Sequence, residues 1–134
     1  MRFKNEKEFE FNVYKDLEAH GMHVQPLEKP FDSKIGNHYV EFKISRWNPK
    51  YHHPMIQFTK NQTVAMRKGK IPIVLVCGEA DFYLLSKERV KKFINEPGRR
   101  NMKHVWISEK YFENTKMTYD QMIKSLKEIL DETT

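Results

Sequence analysis

Residues 31–44 read Phe31-Asp32-Ser33-Lys34-Ile35-Gly36-Asn37-His38-Tyr39-Val40-Glu41-Phe42-Lys43-Ile44. Gly36-Asn37 is a turn pair between two extended runs, 31–35 and 38–44, so the stretch predicts a β-hairpin. Side chains alternate along a strand. Tyr39, Glu41 and Lys43 therefore share one face, and Val40, Phe42 and Ile44 share the other. An acid and a lysine thus point the same way from an otherwise apolar segment. Folding back at Gly36-Asn37 lays the two runs side by side and brings Asp32 towards Glu41.

Working outward, 5–20 reads as a helix. Phe9, Val13 and Leu17 recur at four-residue spacing and Gly21 follows as a stop. At 100° per residue Glu10 falls between Leu17 and Tyr14 on that apolar stripe, and an acid there must be paired, hydrated or functional. A short strand is expected over 22–27, with Pro26 favouring an edge or an end. Residues 46–54 carry two prolines and read as a loop holding Arg46, Trp47, Lys50, Tyr51, His52 and His53. A second helix is expected over 59–68, capped by Thr59 and stopped by Gly69, with Phe58, Gln62, Ala65 and Met66 facing inward. Residues 71–77 are nearly all apolar, the signature of a strand buried on both faces.

Further strands are expected over 81–85 and 105–107, with a short helix capped by Ser86 between them. Thr118-Tyr119-Asp120-Gln121 is a capping box opening a last helix, whose stripe is Met122, Ile123, Leu126, Ile129 and Leu130. No repeat, linker or low-complexity tract interrupts the chain, so residues 1–134 are expected to form one domain. The order of elements predicts a mixed α/β (α+β) fold, a single sheet layer with helices packed on it.

With 39% apolar and 31% charged residues the composition is that of a globular chain, not a disordered one. A net charge of +6 and a pI near 9.3 favour a polyanionic partner such as nucleic acid. The single cysteine, Cys77, lies in an apolar strand and excludes an internal disulfide. The first six residues are too charged for a signal peptide, and no apolar run approaches the roughly 18 residues of a membrane span. The expectation is a cytoplasmic protein with no membrane partner.

Glu-x-Lys by itself is a weak pattern, expected about once or twice by chance in a chain this rich in both residues. Its ordinary alternative is an ion pair on a solvated hairpin, and that of Asp32 is a turn residue. Together, two carboxylates and a backbone carbonyl suit Mg²⁺, a hard ion that keeps several waters. Such an ion polarises a phosphate and acidifies a bound water, while Lys43 balances charge in the pentavalent state. Arg46, Trp47, Lys50 and Tyr51 mix cations with aromatics, as surfaces that grip backbone and stack bases do. Lys60, Arg99 and Arg100 are further candidate phosphate contacts. His52 and His53 are adjacent and without a cysteine partner, a poor zinc site.

These residues resemble the PD-(D/E)xK nuclease superfamily, whose core runs helix, three-stranded meander, helix, strand. Within it they look most like Holliday-junction resolvases of the archaeal and RecU types. Phe31-Asp32 resembles the motif aspartate and Glu41-Phe42-Lys43 the (D/E)xK element. Phe9-Glu10 resembles the opening helix, and Phe58-Thr59-Lys60-Asn61-Gln62 the helix whose glutamine supports the site. The likeness covers about residues 6–95 and rests on order and spacing. It implies a restriction-endonuclease-like core. Glu10, Asp32, Glu41 and the carbonyl of Phe42 would be Mg²⁺ ligands (Mn²⁺ substituting), Lys43 catalytic and Gln62 supportive. The implied activity is endonucleolytic cleavage of DNA, branched or junction DNA above all, by a homodimer acting in DNA recombination. The competing expectations are a non-catalytic nucleic-acid-binding module on the same fold, and a related nuclease acting on linear or nicked DNA.

Overall fold

The computed structural model describes residues 2–132. Among these residues four helices and two sheets make up a mixed α/β architecture. The first helix, α1 (Glu6–Ala19), is capped by Asn5, whose side chain accepts from the Glu8 N–H. An antiparallel meander follows: β1 (Val24–Pro26), β2 (Ser33–Ile35) and β3 (His38–Ile44). The β2–β3 turn falls at Gly36-Asn37, with Gly36 at φ +58°, a conformation glycine adopts without strain. Two short strands, β4 (Arg46–Asn48) and β5 (His53–Phe58), come before α2 (Lys60–Arg67). Then come β6 (Ile73–Cys77), β7 (Phe82–Leu85), α3 (Lys87–Ile94), β8 (Val105–Ser108), two 3₁₀ turns and α4 (Tyr119–Glu132).

The main sheet has strand order β1-β2-β3-β6-β7. It is antiparallel throughout except for the central β3–β6 pair, which is parallel and joined by the crossover that contains α2. β6 is buried at every position because both faces of the sheet are covered. Ile73, Leu75 and Cys77 pack with Phe9, Val13 and Leu17 of α1 and Met122, Leu126 and Leu130 of α4. Val74 and Val76 pack with Met66 of α2, Val90 and Ile94 of α3, and Phe58 and Val105 of the second sheet. Phe9 meets Phe42 edge-on at 5.3 Å between ring centres, which ties α1 to the strand carrying Glu41. The Tyr119 hydroxyl donates to Asp16 (2.5 Å) and accepts from Asn12 (2.7 Å), locking α4 onto α1.

The largest departure from the sequence reading is the second sheet, β4-β5-β8, where a single layer was expected. The segment read as a loop is a hairpin: Arg46 pairs with Met55 and Asn48 with His53, and His52 at its tip adopts φ +56°. Pro54 is accommodated there opposite Trp47. Phe58, assigned to the inward face of the second helix, instead ends β5 and pairs with Val105. Both capping boxes form. Thr59 and Gln62 bond reciprocally at α2, and Thr118 and Gln121 do so at α4. β1 is the sheet edge, and Pro26 sits in it as expected.

No described helix is long and apolar enough to cross a membrane.

Candidate active site

Where β2 ends, β3 continues, and the residues that follow Val40 have lost their β2 partner. Asp32 is the residue at that fork. Its backbone N–H donates to Glu41 Oε1 (3.0 Å), and its own carboxylate Oδ2 accepts from the Phe42 N–H (2.9 Å). Side chain and backbone of one residue thus replace the missing ladder bonds. In a strand the N–H and C=O of one residue leave the same edge, so the Phe42 carbonyl lies on the edge that Asp32 borders.

The opposite oxygen of Glu41 is held from the α2 side. Glu41 Oε2 accepts from Gln62 Nε2 at 2.6 Å and lies 3.2 Å from Lys43 Nζ. Lys43 in turn donates to Gln62 Oε1 (2.9 Å) and stands over the Phe58 ring at 5.3 Å. Gln62 uses its full amide capacity. Nε2 also donates to the Pro30 carbonyl (3.1 Å), and Oε1 also accepts from the Thr59 N–H (3.1 Å). The helix cap, the approach to β2 and the strand pair Glu41/Lys43 are therefore joined through one side chain.

Glu10 approaches from α1. It is 7% exposed and accepts from the Tyr14 hydroxyl (2.7 Å), which also reaches the Asp32 carbonyl at 3.4 Å. Tyr14 is a site residue the sequence reading missed. The signal was its position four residues after Glu10, which stacks the two on one helical face.

Burial holds the Glu10 carboxyl above its usual pKa, and the nearby Asp32 charge adds to this. Burial also raises Glu41. The Asp32 charge pushes it the same way and the Lys43 ammonium opposes it. The Tyr14 hydroxyl is pushed far up by burial and by its two acidic neighbours, so it stays a donor. Glu10, Asp32 and Glu41 form an oxygen-rich cluster, with Lys43 paired to Glu41. Among the described residues no group of three or more His, Cys, Asp or Glu is placed so that it could hold a metal ion. Tyr14 bonds Glu10, while Gln62 and Lys43 bond Glu41.

This charge distribution carries a pH dependence. Glu41 binds its proton more tightly folded than unfolded, so above its ordinary value of 4.5 the native state holds more protons than the unfolded one. Stability then falls as pH rises. In chelator, melting temperature is expected to drop steadily between about pH 5 and pH 8, the window set by a Glu41 pKa pushed up to about 8. Glu41→Gln should flatten this slope, and an unchanged slope in that variant would remove Glu41 as its source.

The remaining candidates divide into two groups. Arg46 and Trp47 lie on β4 beside Lys43 and line a hollow with it. Lys50 sits at the exposed β4–β5 tip over the Tyr51 ring (5.3 Å), and His52 there packs edge-on against Trp47. Lys60 is exposed at the start of α2. Arg99 is engaged elsewhere: it pairs with Glu96 at 2.5 Å and stacks over Phe93 and Tyr111. The structure does not bring it, or the exposed Arg100 beside it, to the hollow at Lys43. A second polar cluster also escaped the sequence. Glu109 accepts from Tyr83 (2.5 Å) and Ser45 (2.7 Å), fixing the end of β3 to the 3₁₀ turn after β8. Gly78 packs against it so closely that a Cβ would meet Glu109, Tyr83 and the Asp81 carbonyl at 2.9 Å.

No family model, no curated protein and no solved structure matches the chain.

Proposed function

We propose that the protein is a Mg²⁺-dependent endodeoxyribonuclease on a restriction-endonuclease-like core. The observation that carries the reading is the joint at the β2–β3 fork: Asp32, Glu41, Lys43 and Gln62 are bonded to one another, with Glu10 reaching in through Tyr14. The succession of α1, the β1–β3 meander, α2 and a β6 parallel to β3 supports the fold assignment.

The donor set fits Mg²⁺. Every candidate ligand is an oxygen, from Glu10, Asp32, Glu41 and the Phe42 carbonyl, and a divalent cation would favour the charged forms of Glu10 and Glu41 that burial, and secondarily the Asp32 charge, disfavour. When bound, the ion would polarise the phosphate and acidify a water. The chain's own residues do the rest. Asp32 holds the edge of β3 open by satisfying the Phe42 N–H. Gln62 keeps Glu41 and Lys43 in register. The Lys43 ammonium, desolvated against Phe58, is the positive group facing charge that develops on the phosphate. We infer a homodimer acting on branched DNA, since a two-fold pair of sites matches the paired strands of a four-way junction.

The test is cleavage of junction, flap, nicked and linear DNA with Mg²⁺, together with metal titration by calorimetry. Asp32→Asn is expected to weaken metal binding by at least tenfold and to abolish cutting. Metal binding without any turnover on these DNAs would favour the non-catalytic module. Undiminished metal binding by Asp32→Asn would remove the site from the fork.

A further inference from the structure

We propose that the hollow beside Lys43 receives the base of an unpaired nucleotide, so that the strand at the cleavage site is taken as single-stranded DNA. This rests on the nuclease reading and adds the substrate class to it. The hollow has a volume of about 360 Å³, within the range of small-ligand pockets. It is equivalent to a cube about 7 Å on a side, whereas the major groove alone of a duplex is about 12 Å wide. A single nucleotide fits; a double helix does not.

Its lining suits a base and a phosphate. Trp47, Trp106 and Met55 supply flat or soft apolar walls, Gln57 an amide, and Lys43 and Arg46 the positive charge. The second sheet places four of them, while Trp47, next to Arg46 and opposite Pro54, alternates to the other face. Gln57 and Trp106 are register partners, as are Arg46 and Met55, so these four side chains share the face turned away from the core residues Ile56, Phe58, Val105 and Ile107. Among the described residues the Arg46 guanidinium is bonded to Glu6 alone (3.0 Å), and both side chains are exposed. Such a surface pair is weak, and a phosphate can take over the guanidinium. Past Trp47 a second hollow of about 690 Å³ shares Ile44, Arg46 and Trp47 with the first and adds Arg2 and Lys4. An aromatic pocket at the catalytic lysine, continued by a groove with three cations, is the layout of a single-strand track.

Trp47 and Trp106 are the chain's two tryptophans, so intrinsic fluorescence reports on this hollow and on the neighbouring one that shares Trp47, with Trp106 specific to the first. The metal-free protein is titrated with oligo(dT) of about eight nucleotides, an ordinary site size for a single-strand groove. Duplex and oligo(U) of equal length are the comparisons. The expected result is quenching, with oligo(dT) bound more tightly than either comparison. Affinity for oligo(dT) should fall about tenfold in Trp106→Leu and in Trp47→Ala. The Trp47 side chain is 62% exposed, so its loss leaves the fold intact. With Mg²⁺, branched DNA carrying unpaired nucleotides next to the cut should be preferred over a fully paired junction.

Absent quenching, equal or tighter duplex binding, or tighter oligo(U) binding each overturns the proposal. If cleavage is metal-dependent and needs Lys43 but no quenching occurs, the base pocket fails and the nuclease reading stands. Quenching and stacking without cleavage on any substrate uphold the pocket and overturn the nuclease reading.

Discussion

Lys43→Ala is expected to lower Mg²⁺-dependent DNA cleavage by about a thousandfold, the usual loss when one preorganised charge facing the transition state is removed. Lys43 is the cation bonded within the carboxylate cluster, 3.2 Å from Glu41 and 2.9 Å from Gln62. Its stem lies over Phe58 and its charge has little water around it, so it acts at low dielectric, where a charge counts for more. Binding of DNA should fall by less than tenfold, because one phosphate contact among several is lost. The fold should survive with a diagnostic asymmetry. Without the ammonium, Glu41 keeps its proton to higher pH, so the variant should lose more stability at pH 8 than at pH 5, by roughly 1 kcal/mol. Cleavage by Lys43→Ala within a factor of about ten of the parent protein would show that Lys43 is structural only.

Gln62→Ala should cost both stability and activity. The side chain is 7% exposed and makes four bonds. Truncation strands the Thr59 N–H and the Pro30 carbonyl, leaves Lys43 with Glu41 alone and Glu41 with Lys43 and the Asp32 N–H, and empties a space at the core edge. Unsatisfied buried groups cost about 1–3 kcal/mol each when water cannot reach them. Partial hydration at the half-exposed rim brings the expected total to roughly 2–4 kcal/mol, read as a lower midpoint in denaturant at unchanged slope. Cleavage should fall as well, since nothing then fixes the Glu41–Lys43 distance. Gln62→Glu separates the two effects: Glu can still accept from Thr59 and Lys43 but presents an oxygen where Nε2 met Glu41 and Pro30. It should retain the α2 cap and still lose cleavage. A Gln62→Ala protein as stable as the parent would mean that the network is not the joint described here.

What the sequence made legible was local. The hairpin at Gly36-Asn37, the Thr59 cap, the capping box at Thr118 and the doubly buried run at Ile73–Cys77 depend on neighbours within a few residues, and all are present. The meeting of Asp32 with Glu41 was legible for the same reason, since one tight turn separates them. The second sheet was not. β4 is three residues long, and β5 is completed by β8, whose Ser108 pairs with Met55 across the whole of α2, β6, β7 and α3. Periodicity carries no mark of such a partner. Tyr14 was hidden because a tyrosine on an apolar stripe looks like core until its hydroxyl is seen between Glu10 and Asp32. Arg99 was misleading in the opposite sense: a basic pair after Pro97-Gly98 looks free in sequence, while in the fold Glu96 and two aromatic rings hold one of its members.

The crossover between β3 and β6 also sets the order in which the candidate site is assembled. A polypeptide that has been synthesised as far as Phe58 already owns every acidic ligand candidate and Lys43, but not Gln62, and it lacks the β6 strand against which β3 aligns. The contacts that organise the centre span 21 residues between Glu41 and Gln62, 40 between Thr63 and Lys103, and 64 between Ser45 and Glu109. Closing loops of that length comes late in folding relative to the hairpin. The candidate site is therefore an output of completed topology, and a half-made chain carries its carboxylates and lysine without the means to align them.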